Sequence, residues 1–213
     1  MKITAVKFTI RSTLFLLILY FLVNITLPYG NLVIFATAGD RKEQNLIEKF
    51  FINSHISRLA ISIRGISCNS PIVTLPINFT KSEYISLDGG AISLIIQQYS
   101  LLDDETYKYQ KKYALKLLER TIQECHSAPY MSNIPPLVDA IVFEQVEIVN
   151  LLLENGSDPN YEFKNSSGEV RSPLMYAKAL AERENSRLEA DPNHPKATGR
   201  AKIILDMMHA SAE

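Results

Sequence analysis

The sequence predicts a mainly α-helical chain: a short solenoid of about two clear helix-pair repeats plus a degenerate one, set behind an N-terminal membrane or signal segment. Three observations lead there. Basic residues followed by a long apolar run open the chain, a stretch of the last eighty residues repeats itself, and apolar residues between these recur three and four apart. With 213 residues, 46% apolar and 21% charged, the composition is that of a folded protein rather than a disordered or disulfide-dense one. About 170 residues follow the apolar start, enough for one domain with a sizeable core.

The charge is uneven. Of 22 Lys and Arg, three (Lys2, Lys7 and Arg11) precede Asp40, leaving 19 against all 23 Asp and Glu in the remainder. A net acidic folded portion excludes nucleic acid as an expected partner, because phosphate neutralisation needs a basic surplus.

Residues 1–38 are expected to be a signal anchor or a signal peptide. The apolar run 14–23 continues through Asn24, Thr26, Pro28 and Gly30 into a second run, 32–38. A membrane helix over residues 13–38 is long enough for a hydrocarbon core of about 30 Å. The alternative is cleavage after Ala38, where Ala36, Thr37 and Ala38 supply small residues. Apolar sequence running almost to Ala38 favours the anchor. Both readings leave the N-terminus in the cytoplasm and export the rest, because positive charge precedes the span and Asp40, Arg41, Lys42 and Glu43 balance after it. The C-terminal domain is then displayed from a single-pass anchor, or is periplasmic or secreted if the leader is cut.

Residues 39–82 form a helical or mixed segment. Leu46, Ile47, Phe50 and Phe51 predict an amphipathic helix over 41–53, whereas Leu59, Ile61 and Ile63 fit a strand or a helix. Cys68 and Cys125 would lie in an oxidising compartment and are candidates for a disulfide or for two buried thiols; spacing does not choose between them.

Residues 83–213 hold the repeats. Pro136, Leu137 and Ala140 recur as Pro173, Leu174 and Ala177, an offset of 37 residues. In the first copy Pro136 suits the first turn of a helix, Val146 to Asn155 read as a second helix, Gly156 stops it, and Ser157, Asp158, Pro159 and Asn160 form a turn. This pattern resembles an ankyrin repeat, with Pro135 where that family usually has Thr and Val138 where it has His. In the second copy Ser172 keeps the hydroxyl cap and Met175 replaces His. Its loop over 161–171 is lengthened, and about 18 residues are inserted between its paired helices: Pro173 to Ile203 spans 30 positions, against 12 from Pro136 to Ile148. The insertion reads as a charged helical extension and a loop, and residues 201–209 as a closing helix. Residues 90–99 and 113–122 form the degenerate repeat.

The resemblance implies a protein-binding surface on loop tips and on the exposed faces of first helices. Those positions carry Tyr130, Met131, Asp139, Phe143, Tyr161, Glu162, Phe163, Lys164, Asn165, Met175 and Tyr176, with Tyr161 and Phe163 the foremost anchors because aromatics dominate interface hot spots. No cofactor or metal is expected: His55, His126, His194 and His209 are scattered. The chain is read as a non-enzyme whose partner is another protein, a basic one given the acidic balance. Small exported ankyrin proteins act as immunity proteins or inhibitors, so the resemblance implies neutralisation of a toxin or hydrolase. The alternatives are a scaffold of a membrane complex, or an enzyme using Cys125 or the Asp103 and Asp104 pair.

Overall fold

The computed structural model of the chain describes residue 18 and residues 29–37, 56–68, 90–102, 106–125, 134–191, 194 and 198–212. It is mainly helical. Eight helices are described between Tyr29 and Ala212: α1 (Tyr29–Thr37), α2 (Ile56–Arg64), α3 (Ala91–Ser100), α4 (Lys108–Cys125), α5 (Pro136–Val142), α6 (Val146–Glu154), α7 (Pro173–Ala190) and α8 (Arg200–Ala212). A two-stranded antiparallel hairpin, β1 (Phe163–Lys164) and β2 (Val170–Arg171), separates α6 from α7.

Consecutive helices pack as four pairs. Within the stack α3, α5 and α7 lie side by side as one layer and α4, α6 and α8 as the other, with α1 extending the first layer against α3 and also touching α4. This arrangement follows from the apolar spacing. In α4, Ala114, Leu117, Leu118, Thr121, Ile122 and Cys125 are buried, a single stripe at three and four residue steps. α3 is flanked by α1, α4 and α5, so it is buried nearly all round, Gln97 and Gln98 included.

Local signals set several helix ends. Gly156 adopts φ +84° and the amides of Gly156 and Ser157 donate to the carbonyls of Leu153 and Leu152, both at 3.0 Å, the paired bonds of a left-handed helix stop. α5 ends the same way without glycine: Glu144 takes φ +54°, while its amide and that of Gln145 donate to Ile141 and Ala140 at 2.9 Å. Ser172 caps α7 by accepting from the Met175 amide at 3.4 Å, whereas Pro135 offers α5 no side-chain cap. The charged insertion continues α7 to Ala190. Buried Glu184 then accepts from the Gly199 amide at 2.8 Å, holding a carboxylate at the start of α8, where the helix dipole favours negative charge.

The strand-or-helix ambiguity of residues 58–63 resolves as helix. A strand would place Leu59, Ile61 and Ile63 on one side; in α2, Ser57, Ala60 and Ile61 are buried instead, and Leu59 and Ile63 point outward. Its neighbour α1 lies within the expected membrane span over residues 13–38, yet buries Tyr29, Leu32, Val33 and Ala36 in the domain core against α2, α3 and α4. Apart from residue 18, the rest of that span lies outside the described residues, as does the helix expected over 41–53. Among the described residues no helix is long and apolar enough to cross a membrane.

Cys68 and Cys125 form a disulfide across a sequence separation of 57, with Cα atoms 5.4 Å apart. It ties the chain after α2 to the end of α4, and the Cys68 carbonyl accepts from the Ala91 amide at 3.1 Å. Closing a loop of this length contributes about 4 kcal/mol in the chain-entropy account.

Candidate protein-binding surface

The hairpin between α6 and α7 is held by local polar contacts. Asp158 accepts from the Asn160 amide at 2.8 Å, a side-chain turn that redirects the chain after α6. At the tip, Asn165 Oδ1 accepts from the amides of Ser167 at 3.0 Å and Glu169 at 2.9 Å. Arg171 bonds Glu169 at 2.7 Å and, with Asn165, holds its carboxyl below the usual carboxylate range. The Leu174 amide donates to Pro159 O at 3.0 Å, seating the loop on the first turn of α7.

This geometry divides the two foremost aromatic candidates. Phe163 is 8% exposed, and its ring stacks on Tyr176 with centroids 6.0 Å apart and an interplanar angle of 18°. It anchors the hairpin to α7. Tyr161, at 45% exposure, stays on the outside, and Glu162 and Lys164 are exposed beside it. Asn165 is half-buried and committed to the turn. Met175 is exposed on the first turn of α7, adjacent to half-buried Tyr176.

The α5 candidates sit differently. Phe143 is half-buried and packs against the core. Asp139 is half-buried facing α3, with the Ser93 hydroxyl beside its carboxyl. Burial pushes the Asp139 carboxyl up to about 6, partly offset by that hydroxyl. Asp139 is thus half-buried, with its carboxyl partly desolvated beside α3. Tyr130 and Met131 lie outside the described residues. The sequence reading did not single out Val170, exposed on β2 opposite Lys164, or Val142, exposed at the end of α5. Two-residue period on the hairpin was the available signal for Val170, but β1 and β2 are two residues each and too short to show it.

Cys125, bonded to Cys68, carries no thiol for nucleophilic attack. Asp103 and Asp104 lie outside the described residues, and among the described residues no three His, Cys, Asp or Glu side chains converge as a metal site. The exposed set of Tyr161, Glu162, Lys164, Val170 and Met175 combines apolar and aromatic area with charge of both signs. No family model matches the chain, and no curated protein or solved structure is significantly similar to it.

Proposed function

We propose that the chain is a non-catalytic, ankyrin-type protein-binding module displayed outside the cytoplasm behind its apolar leader, acting as an immunity or inhibitor protein that neutralises a toxin or hydrolase. The observation that carries this reading is the hairpin: a loop fixed by Phe163 on Tyr176 presents Tyr161 at 45% exposure beside Met175. Pre-organised aromatic area of this kind lowers the entropic cost of binding, because little remains to be ordered on contact.

Two further features support it. The Cys68–Cys125 disulfide suits an oxidising compartment. The described residues from 134 onward carry twelve Asp and Glu against seven Lys and Arg, a surplus that steers a basic partner.

The test places a photo-crosslinking residue at position 161 in producing cells, identifies the captured protein, and measures its affinity and activity with the purified chain. Tyr161→Ala with Met175→Ala is expected to weaken binding by about thirtyfold or more, the scale of hot-spot loss, and to relieve inhibition of the captured protein. Leu188→Ala, on the far part of α7, is the comparison and leaves both unchanged. A captured protein whose activity the chain does not alter, or binding equally sensitive to both variants, rejects the reading.

A further inference from the structure

Charge is unevenly placed on the described surface. Helix α4 carries five Lys and Arg and two Glu, a net of +3, whereas the described residues from 134 onward carry seven Lys and Arg against twelve Asp and Glu, a net of −5. The basic helix has a definite face. Lys108, Lys112 and Lys116 recur every four residues on the exposed side of α4, and Arg120, paired with Glu124 at 3.3 Å, continues the row.

Beside this row lies apolar surface. Leu59 and Ile63, one helical turn apart on α2, are 50% and 57% exposed. Arg58 joins the two helices into one flank: its guanidinium carbon lies 4.7 Å from the ring centroids of both Tyr109 and Tyr113 of α4, and its Nε donates to the Ala36 carbonyl at the end of α1 at 3.1 Å. Tyr109, 62% exposed, adds an amphipathic ring of the kind enriched at headgroup level. Tyr29, which opens α1 just after the apolar leader, lies beside Thr121 of the same α4.

We propose that the α2–α4 flank docks on an anionic lipid membrane, with Leu59 and Ile63 entering the interface, Tyr109 at headgroup level and Lys108, Lys112 and Lys116 on the phosphates. Charge complementarity selects the occupant. Lysines flanking exposed aliphatic residues match an interfacial segment, whereas nucleic acid would meet the lysines and leave Leu59 and Ile63 unrewarded. The opposite, acidic end is repelled by the same surface, so the hairpin points away from the bilayer. The inference rests on the leader bringing the domain to a membrane, as in the reading above, and is independent of what the hairpin binds.

The chain contains no tryptophan, so a single introduced one reports its own surroundings. Full-length I63W is reconstituted with vesicles of neutral phosphatidylcholine, or with phosphatidylglycerol added, each with brominated acyl chains as quencher; Y161W serves as the comparison. Quenching of Trp at 63 and not at 161, in anionic vesicles and lost in neutral ones, is the expected result. Each Lys→Gln change at 108, 112 or 116 should lower the docked-to-undocked ratio about fivefold, with circular dichroism showing the helix content unchanged. Chain that sediments with anionic vesicles while Trp at 63 stays unquenched overturns docking alone. Failure to sediment with either composition overturns the membrane tether as well, and equal quenching at 63 and 161 overturns the orientation.

Discussion

α1 is the element where sequence character and structural role diverge most, and Leu32→Ala tests it directly. Leu32 is fully buried among α2, α3 and α4. Truncating such a side chain costs about 2–5 kcal/mol, and a helix in the terminal pair can relax, which favours the lower half of that range. For a domain of this size each kcal/mol lowers the thermal midpoint by roughly 2–4 °C, so the variant should melt roughly 5–10 °C below the parent. The assay is thermal unfolding of the full chain in mild detergent, followed by circular dichroism, with Leu16→Ala in the leader as the comparison. Truncation sharpens it. A chain starting at Gly39 loses the burial of Tyr29, Leu32, Val33 and Ala36, roughly 6–9 kcal/mol, which is comparable to the whole stability of a domain, and should not fold. A chain starting at Pro28 should. Equal midpoints for Leu32→Ala and the parent, or a folded chain starting at Gly39, would refute the placement of α1 in the core.

Two further outcomes follow from groups held in costly states. Asp139, raised to about 6 by burial, titrates near 3.9 when unfolded; the folded state thus binds its proton more tightly between those values, and stability falls as pH rises from about 4 to about 6. Asp139→Asn should flatten that part of the urea-midpoint profile and add about 1–3 kcal/mol at pH 7; an unchanged profile counts against the buried placement. Glu144 holds φ +54°, a conformation glycine adopts without steric cost, so Glu144→Gly should raise stability by about 0.5–1 kcal/mol and the melting midpoint by a few degrees. A fall in the midpoint would show that the Glu144 side chain contributes more than its backbone costs.

Several elements were legible because their signals act over a few residues. Pro136 and Pro173 open helices, Ser172 caps one and Gly156 closes one; each depends on local φ and on orphan amides or carbonyls, which the neighbouring residues alone satisfy. The charged stretch after Ala181 was likewise readable as helix, since Glu and Arg are good helix formers. Phe163 and Tyr161 show the limit. They are two positions apart in one loop with equal apolar character, and only the presence of the Tyr176 ring beneath the hairpin makes one an anchor and the other exposed. Asp139 shows the same dependence: the partial desolvation of its carboxyl comes from packing beside Ser93 of α3, which is distant in sequence.

Sequence alone therefore determined the helices from Pro136 onward and their local stops, because backbone sterics and hydrogen-bonding needs there are met by residues adjacent in the chain. Tertiary packing decided the rest: it drew Tyr29, Leu32, Val33 and Ala36 into the core, closed Cys68 on Cys125, and set the lysine row of α4 beside exposed Leu59 and Ile63. Burial and electrostatic potential depend on which surfaces meet in space, and a sum along the chain averages both away.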